Sequence, residues 1–231
     1  MRFISNVKKE YDSMFRILIY NEPRPILERD TIIKRNKSQV DLDNYEPEIS
    51  SLRRTKTTIR DLILANNFTI FATFTFDPDK IHDRFNFNDC WRKIQTWIRN
   101  QHEKSPDLIY LFVPEQHKNG AWHFHALLGN FNGTMKSSHH YSSTGREVFN
   151  ITSYRGGFST ACLIDDREMV CNYVMKYITK DFIKTFNQRR FTCSRNLKRP
   201  VKTVNVKNLD MNKLHRVVYE TGEYSLYEFP Y

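Results

Sequence analysis

Two imidazoles one residue apart, His123 and His125, and two phenols four residues apart, Tyr173 and Tyr177, are the side chains whose types and spacing could carry chemistry. On an extended strand side chains alternate, so His123 and His125 share one face while Trp122, Phe124 and Ala126 take the other. Imidazoles held side by side suit a divalent metal, and a hard cation such as Mg2+ or Mn2+ also asks for a carboxylate. Glu115, ahead of an Asn119-Gly120 turn, can supply it if the hairpin register allows. A three-residue loop over Lys118 to Gly120 pairs Glu115 with His123 and puts three ligands on one face, whereas a two-residue Asn-Gly turn pairs Gln116 with His123 instead. The odd-length loop is the expectation, with Gln116 as the alternative third ligand and His117 as a loop residue, metal binding being its lesser alternative. Three protein ligands leave positions open for water and phosphate oxygens, which suits Lewis-acid activation of a phosphodiester. A zinc ion would lack a local cysteine ligand. Taken alone, His-x-His is more often a structural pair than a metal site.

The phenols sit on a stretch with helical periodicity. Read at 100° per residue from Asp165 to Phe182, Cys171, Val174, Met175, Ile178 and Phe182 fall on one arc and Tyr173, Lys176, Tyr177 and Lys180 on the opposite one. An apolar side anchors such a helix and leaves a face of phenols and ammonium groups. A phenol ionises near pH ~10, so it becomes a nucleophile at neutral pH only when a cation or a metal-bound phosphate lowers the cost. Lys176, beside both tyrosines, can stabilise phenolate, orient a phosphate or protonate a leaving oxygen. The bland alternatives are a solvated polar face and tyrosines that stack on bases without catalysis.

These side chains need elements to position them. Phe68 to Phe76 is β-branched and aromatic and stops at Asp77-Pro78, as a strand should. Asn88-Asp89 can cap a helix whose Trp91, Ile94 and Ile98 fall on one stripe. Leu108 to Glu115 and Trp122 to Gly129 read as a hairpin, Val148 to Tyr154 as a further strand, and Asp165 or Asp166 as the start of the tyrosine helix. This order implies an α+β fold: a central antiparallel sheet with helices packed mainly on one face, and the other face free for a ligand. Ahead of this core, at 67–182, Ser51 to Asn66 reads as a basic amphipathic helix carrying Arg53, Arg54, Lys56 and Arg60, either a surface helix or a DNA-backbone contact. Residues 1–50 read as a loosely packed arm and 183–231 as a basic C-terminal extension.

In 231 residues, 36 Lys+Arg against 26 Asp+Glu leave a net charge of +10, which favours a polyanionic partner, nucleic acid before membrane surface. Lys184 to Lys207 holds eight basic residues and no acid. Arg189, Arg190, Arg195, Lys198 and Arg199 there are candidate DNA-backbone contacts, the alternative being a solvated segment. The four cysteines form no Cys-x-x-Cys pair, which fits a reducing cytoplasm, and no apolar run is long enough for a signal core or a membrane span.

Together, FATFTFD at Phe71 to Asp77, PEQHKNGAWHFHALL at Pro114 to Leu128 and NYVMKYITKDF at Asn172 to Phe182 resemble the HUH endonucleases, and within them the rolling-circle replication initiators of small phages and plasmids. FTCSRNLKRP at Phe191 to Pro200 is similar, less specifically, to a segment after the tyrosine helix in some initiators. The resemblance implies that His123, His125 and Glu115 bind Mg2+ or Mn2+. Tyr173 would be the nucleophile and Tyr177 the second tyrosine of two-tyrosine initiators, nicking single-stranded DNA at an origin through a 5′-phosphotyrosine and later rejoining it. No phosphate-binding Gly-x-x-x-x-Gly-Lys loop occurs, so a host helicase and polymerase, in a bacterial cytoplasm, are the implied partners. A single-tyrosine transposase or relaxase would use the same chemistry, and a non-catalytic single-strand-binding module would use the aromatics alone.

Overall fold

In the computed structural model the elements, in chain order, are β1 (Phe3–Glu10), β2 (Met14–Pro25), α1 (Tyr45–Leu64), β3 (Ile70–Phe76), α2 (Phe87–Lys104), β4 (Ile109–Gln116), β5 (Trp122–Gly129), β6 (Met135–Tyr141), β7 (Glu147–Ile151), β8 (Gly157–Leu163), α3 (Arg167–Met175), β9 (Thr192–Cys193), β10 (Val201–Val204), β11 (Arg216–Glu220) and β12 (Tyr224–Pro230). The structure describes residues 3–25, 45–178, 190–212 and 215–231, with 45–49 as backbone only. They form two compact units, Met1–Tyr45 with Lys198–Tyr231, and Glu46–Leu197. Among the described residues no helix is long and apolar enough to cross a membrane.

The larger unit is built on a seven-stranded sheet in the order β6-β7-β8-β3-β5-β4-β9, antiparallel throughout. β3 alternates strictly: Ile70, Ala72, Phe74 and Phe76 are buried at 0–4% exposure while Phe71, Thr73 and Thr75 stay half-buried on the other face. The buried row packs with Cys90, Ile94, Trp97 and Ile98 of α2 and with Phe112, Phe124 and Ala126 of the hairpin. An apolar stripe and a caged aromatic cluster thus fix α2 on one face, Phe74 lying 4.8 Å from Trp97 and 5.7 Å from Phe112. The cap of α2 is Asn86, two residues before the expected Asn88-Asp89: its side chain accepts from the backbone N–H of Asn88 and of Asp89. Trp91, expected on the buried stripe, is only half-buried and stacks on Phe124 at 5.7 Å.

The α+β class and the antiparallel sheet are as the sequence reads, and three strands of this sheet, β6, β8 and β9, were not legible in it. β8 pairs along the whole of β3, from Ile70↔Leu163 to Phe76↔Gly157, while β6 extends the sheet beyond β7. The expected strand at Val148 to Tyr154 is β7, shifted to Glu147–Ile151. α3 begins at its Asp166 cap, whose carboxylate accepts from Met169 N–H, and its regular turns end at Met175. Lys176, Tyr177 and Ile178 then close tighter bonds to the carbonyls of Tyr173, Val174 and Met175. Residues 179–182, which complete the expected helix, lie outside the described residues, as do Lys180 and Arg189.

Residues 1–50 read as a loosely packed arm, but β1 and β2 lie inside a second, five-stranded sheet, β10-β1-β2-β12-β11. The basic extension supplies its other three strands. At its centre Arg16, only 3% exposed, donates from Nε at 2.9 Å and Nη2 at 2.6 Å to Glu228 Oε2 on β12.

Candidate functional site

The hairpin register sets the site. Glu115 pairs with His123, Val113 with His125 and Gln116 with Trp122. The closing bonds, His117 N–H to Ala121 O at 2.9 Å and Gly120 N–H to His117 O at 2.8 Å, leave Lys118 to Gly120 as a three-residue loop. Gly120 takes φ +89°, the left-handed position such a loop requires. Glu115, His123 and His125 therefore share one face. Gln116, the alternative ligand, belongs to the opposite face and its side-chain amide donates to Gly120 O at 2.9 Å.

β3 contributes what sequence reasoning missed. Thr73 lies opposite His125 and Thr75 opposite His123, with hydroxyls 3.1 and 3.2 Å from the respective Nδ1 atoms. Each ring is thereby oriented with Nε2 outward. His125, 6% exposed, donates from Nε2 to Glu115 Oε2 at 2.8 Å. His117, read as a loop residue, also joins the cluster: its ring stacks on His123 at 3.7 Å and its Nε2 lies 3.6 Å from Glu115 Oε2. The alternation of FATFTF could have flagged both threonines, but not His117, which lies beyond the regular strand.

Electrostatics favour the ligand-competent forms. Burial first, and the charge of His117 second, push His123 down to about 4, so its imidazole is neutral at physiological pH. The hydrogen bond from His125 holds the Glu115 carboxyl below the usual carboxylate range. A neutral imidazole and an ionised carboxylate are the states that bind a metal. Two cis ligands on an octahedral ion at about 2.1 Å sit about 3 Å apart, close to the 2.8 Å between His125 Nε2 and Glu115 Oε2, so these two donors are spaced as a hard divalent cation would need. Among the described residues no three His, Cys, Asp or Glu side chains are already gathered at one point. Beside the cluster an open depression of about 490 Å³ is lined by Glu115, Gln116, His117, Lys118 and Asn119.

α3 lies over the histidine face. Cys171 and Val174 on α3 and Ile178 just past its end are buried at 0–3%, while Tyr173 is 42% exposed, Lys176 is exposed and Tyr177 is half-buried, so the two arcs separate as read from the sequence. The Tyr177 ring stacks on His125 at 3.7 Å, and Tyr173 packs edge-on against Phe71 at 5.2 Å and against Tyr177 at 5.3 Å. Lys176 Nζ stands 5.6 Å from the centre of the Tyr173 ring. Burial, then the hydrogen bond with Tyr173, raises the Tyr177 phenol above its ordinary range.

The basic candidates divide. Arg53, Arg54 and Lys56 are exposed on α1, and Arg195 is exposed after β9. Arg60 Nη2 donates to Asn172 Oδ1 of α3 at 3.0 Å, and Arg190 Nη1 donates to Ser51 Oγ and Thr55 Oγ1 of α1, each at 3.1 Å. In the smaller unit Lys198 pairs with Asp12 at 2.8 Å and Arg199 is exposed.

No curated protein and no solved structure matches the chain. Residues 69–182 match the model of a family of replication-associated proteins, the ORF2 type, a stretch that contains Glu115, His123, His125, Tyr173, Lys176 and Tyr177.

Proposed function

We propose that this chain initiates DNA replication by nicking a single strand at an origin through a tyrosine nucleophile and later rejoining it. The observation that carries the reading is that Tyr173 on α3 and Tyr177 in the turn after it lie on the face that presents His123, His125 and Glu115, with Tyr177 stacked on His125. The family match over residues 69–182 supports replication as the context, ahead of transposition or transfer.

His123, His125 and Glu115 would hold Mg2+ or Mn2+, which would supply Lewis-acid polarisation of the scissile phosphate. Tyr173 is the first nucleophile: it is reachable by a strand from solvent, and the Lys176 ammonium stands over its ring, where it can meet the phosphate that the phenol attacks. Its oxygen forms a bond to phosphorus, the phosphorus–O3′ bond breaks, and the leaving oxygen takes a proton to become a free 3′-OH. The phosphate stays on the protein as a 5′-phosphotyrosine. Attack by a 3′-OH on that ester reverses the sequence, and because the ester conserves the bond energy, joining requires no ATP. Tyr177 serves as the second phenol. Arg53, Arg54, Lys56 and Arg195 contact the backbone, which positions a strand without reading its sequence. Unwinding and extension fall to a host helicase and polymerase.

The test is a covalent adduct. Single-stranded oligonucleotides of phage and plasmid origins, incubated with the protein and Mn2+, should yield a slow-migrating band on a denaturing gel. Tyr173→Phe should cut its yield by at least ~100-fold and His123→Ala should abolish it while leaving salt-sensitive binding largely intact. Binding without any adduct, on every origin tried, would instead identify a non-catalytic single-strand-binding module.

A further inference from the structure

The pairing registers continue past the histidines. Thr75, opposite His123 on one side, is opposite Phe158 of β8 on the other, and Thr73 is opposite Thr160. Directly opposed residues of an antiparallel pair share a face. One row therefore runs Glu115, His123, Thr75, Phe158 across four strands, and the next runs Val113, His125, Thr73, Thr160. Phe158 lies two interstrand spacings, about 10 Å, from His123.

Along this face coverage falls from one end to the other. In the third row from the hairpin loop Leu111 and Leu127 are buried at 1%, and Tyr173 packs on Phe71, which pairs with Leu127 on one side and Cys162 on the other. In the row nearest the loop Phe158 is 72% exposed. A strand whose phosphate reaches the histidines must enter and leave over this open row. A lone exposed ring is ordinary on a protein surface. Phe158 differs because its ring stands at the open edge of a face that already presents the candidate phosphate-activating groups. The polar Thr160 takes the next exposed position on the same strand, while Ser159 and Ala161 turn inward at 6% and 1%. β8 is held in place by Gly157, where a Cβ would sit 2.2 Å from Thr75 O, so β3 and β8 approach too closely for any other residue.

We infer that Phe158 is a base-stacking platform: the base of a nucleotide flanking the scissile phosphate lies on its ring and fixes that phosphate against His123 and His125. The inference rests on the single-strand-nicking reading. It makes Phe158 a positioning residue that is tolerant of base identity, since every base has a π-face.

The experiment compares binding of fluorescein-labelled oligothymidylate with that of an abasic strand of the same phosphate count, by anisotropy, for the full chain and for Phe158→Ala, Phe158→Leu and Phe158→Trp. Wild type should prefer the strand with bases. Phe158→Ala and Phe158→Leu should lose that preference, binding oligothymidylate roughly 5- to 150-fold more weakly with little change on the abasic strand, and Phe158→Trp should restore it. Equal binding of both strands by wild type, or an undiminished preference in Phe158→Ala with an unchanged melting temperature, overturns the platform. Adduct formation by wild type on origin strands in Mn2+ reads the nicking chemistry separately, so failure of the platform is distinguished from failure of the nicking reading.

Discussion

At the scale of single residues, the histidine pair owes its orientation to groups outside the proposed ligand set. Thr73 and Thr75 each bring a hydroxyl to an Nδ1, which fixes the ring and directs Nε2 toward Glu115 and solvent. Outer groups of this kind typically change metal affinity 10- to 100-fold. Thr75→Val keeps the β-branched shape of the strand and deletes only the hydroxyl, so it should weaken Mn2+ binding by roughly 10- to 100-fold. Free Mn2+ measured by paramagnetic resonance during a titration reads this directly, and an unchanged affinity would remove Thr75 from the site. The His123, His125 and Glu115 cluster was legible because strand alternation and loop length are arithmetic on the sequence. His117 was not, because a residue just past a strand has no periodicity, and its stack on His123 depends on the path the loop takes.

At the scale of elements, two glycines hold the rows in register for different reasons. Gly120 sits at φ +89° in the hairpin loop, with only the Phe85 ring near a Cβ, at 3.4 Å. Gly120→Ala should therefore cost about 1–2 kcal/mol of conformational strain and leave the site assembled. Gly157→Ala meets backbone atoms, Thr75 O at 2.2 Å and Asp77 N at 2.6 Å, and must push β8 from β3. It should be the more destabilising of the two by urea denaturation, and it alone should reduce adduct yield, because the displaced Thr75 carries His123. Equal effects would mean that β8 plays no part in holding the site. Helix faces were legible in the same way as the strands: the arcs of α3 follow from 3.6-residue periodicity and match its burial. β8 was not legible, since GFSTACL pairs with β3 only after α2 and four further strands intervene in the chain, and its small residues fit a turn as well as a strand.

At the scale of the whole molecule, the two units differ in how they could be read. The larger unit is made of consecutive segments with strong local patterns, whereas the smaller one joins strands about 200 residues apart, so that β2 finds β12 only after the rest of the chain has been made. Its β2 also buries an arginine where a strand pattern asks for an apolar residue, which is why residues 1–50 looked like an arm. That arginine gives the last prediction. Arg16 at 4% side-chain exposure and Glu228 at 17% form a shielded pair, and removing one partner leaves the other charge poorly solvated at a typical cost of about 3–5 kcal/mol. Arg216 Nη2, 3.1 Å from Glu228 Oε1, offsets part of this. Arg16→Met should accordingly destabilise the smaller unit by about 3 kcal/mol. Because every group proposed for the chemistry lies in Glu46–Leu197, amide exchange should accelerate in β1, β2 and β12 while β3 and β5 keep their protection. Acceleration of equal size in both sheets would show that the chain opens as one cooperative block, and that the second sheet is a structural requirement of the first.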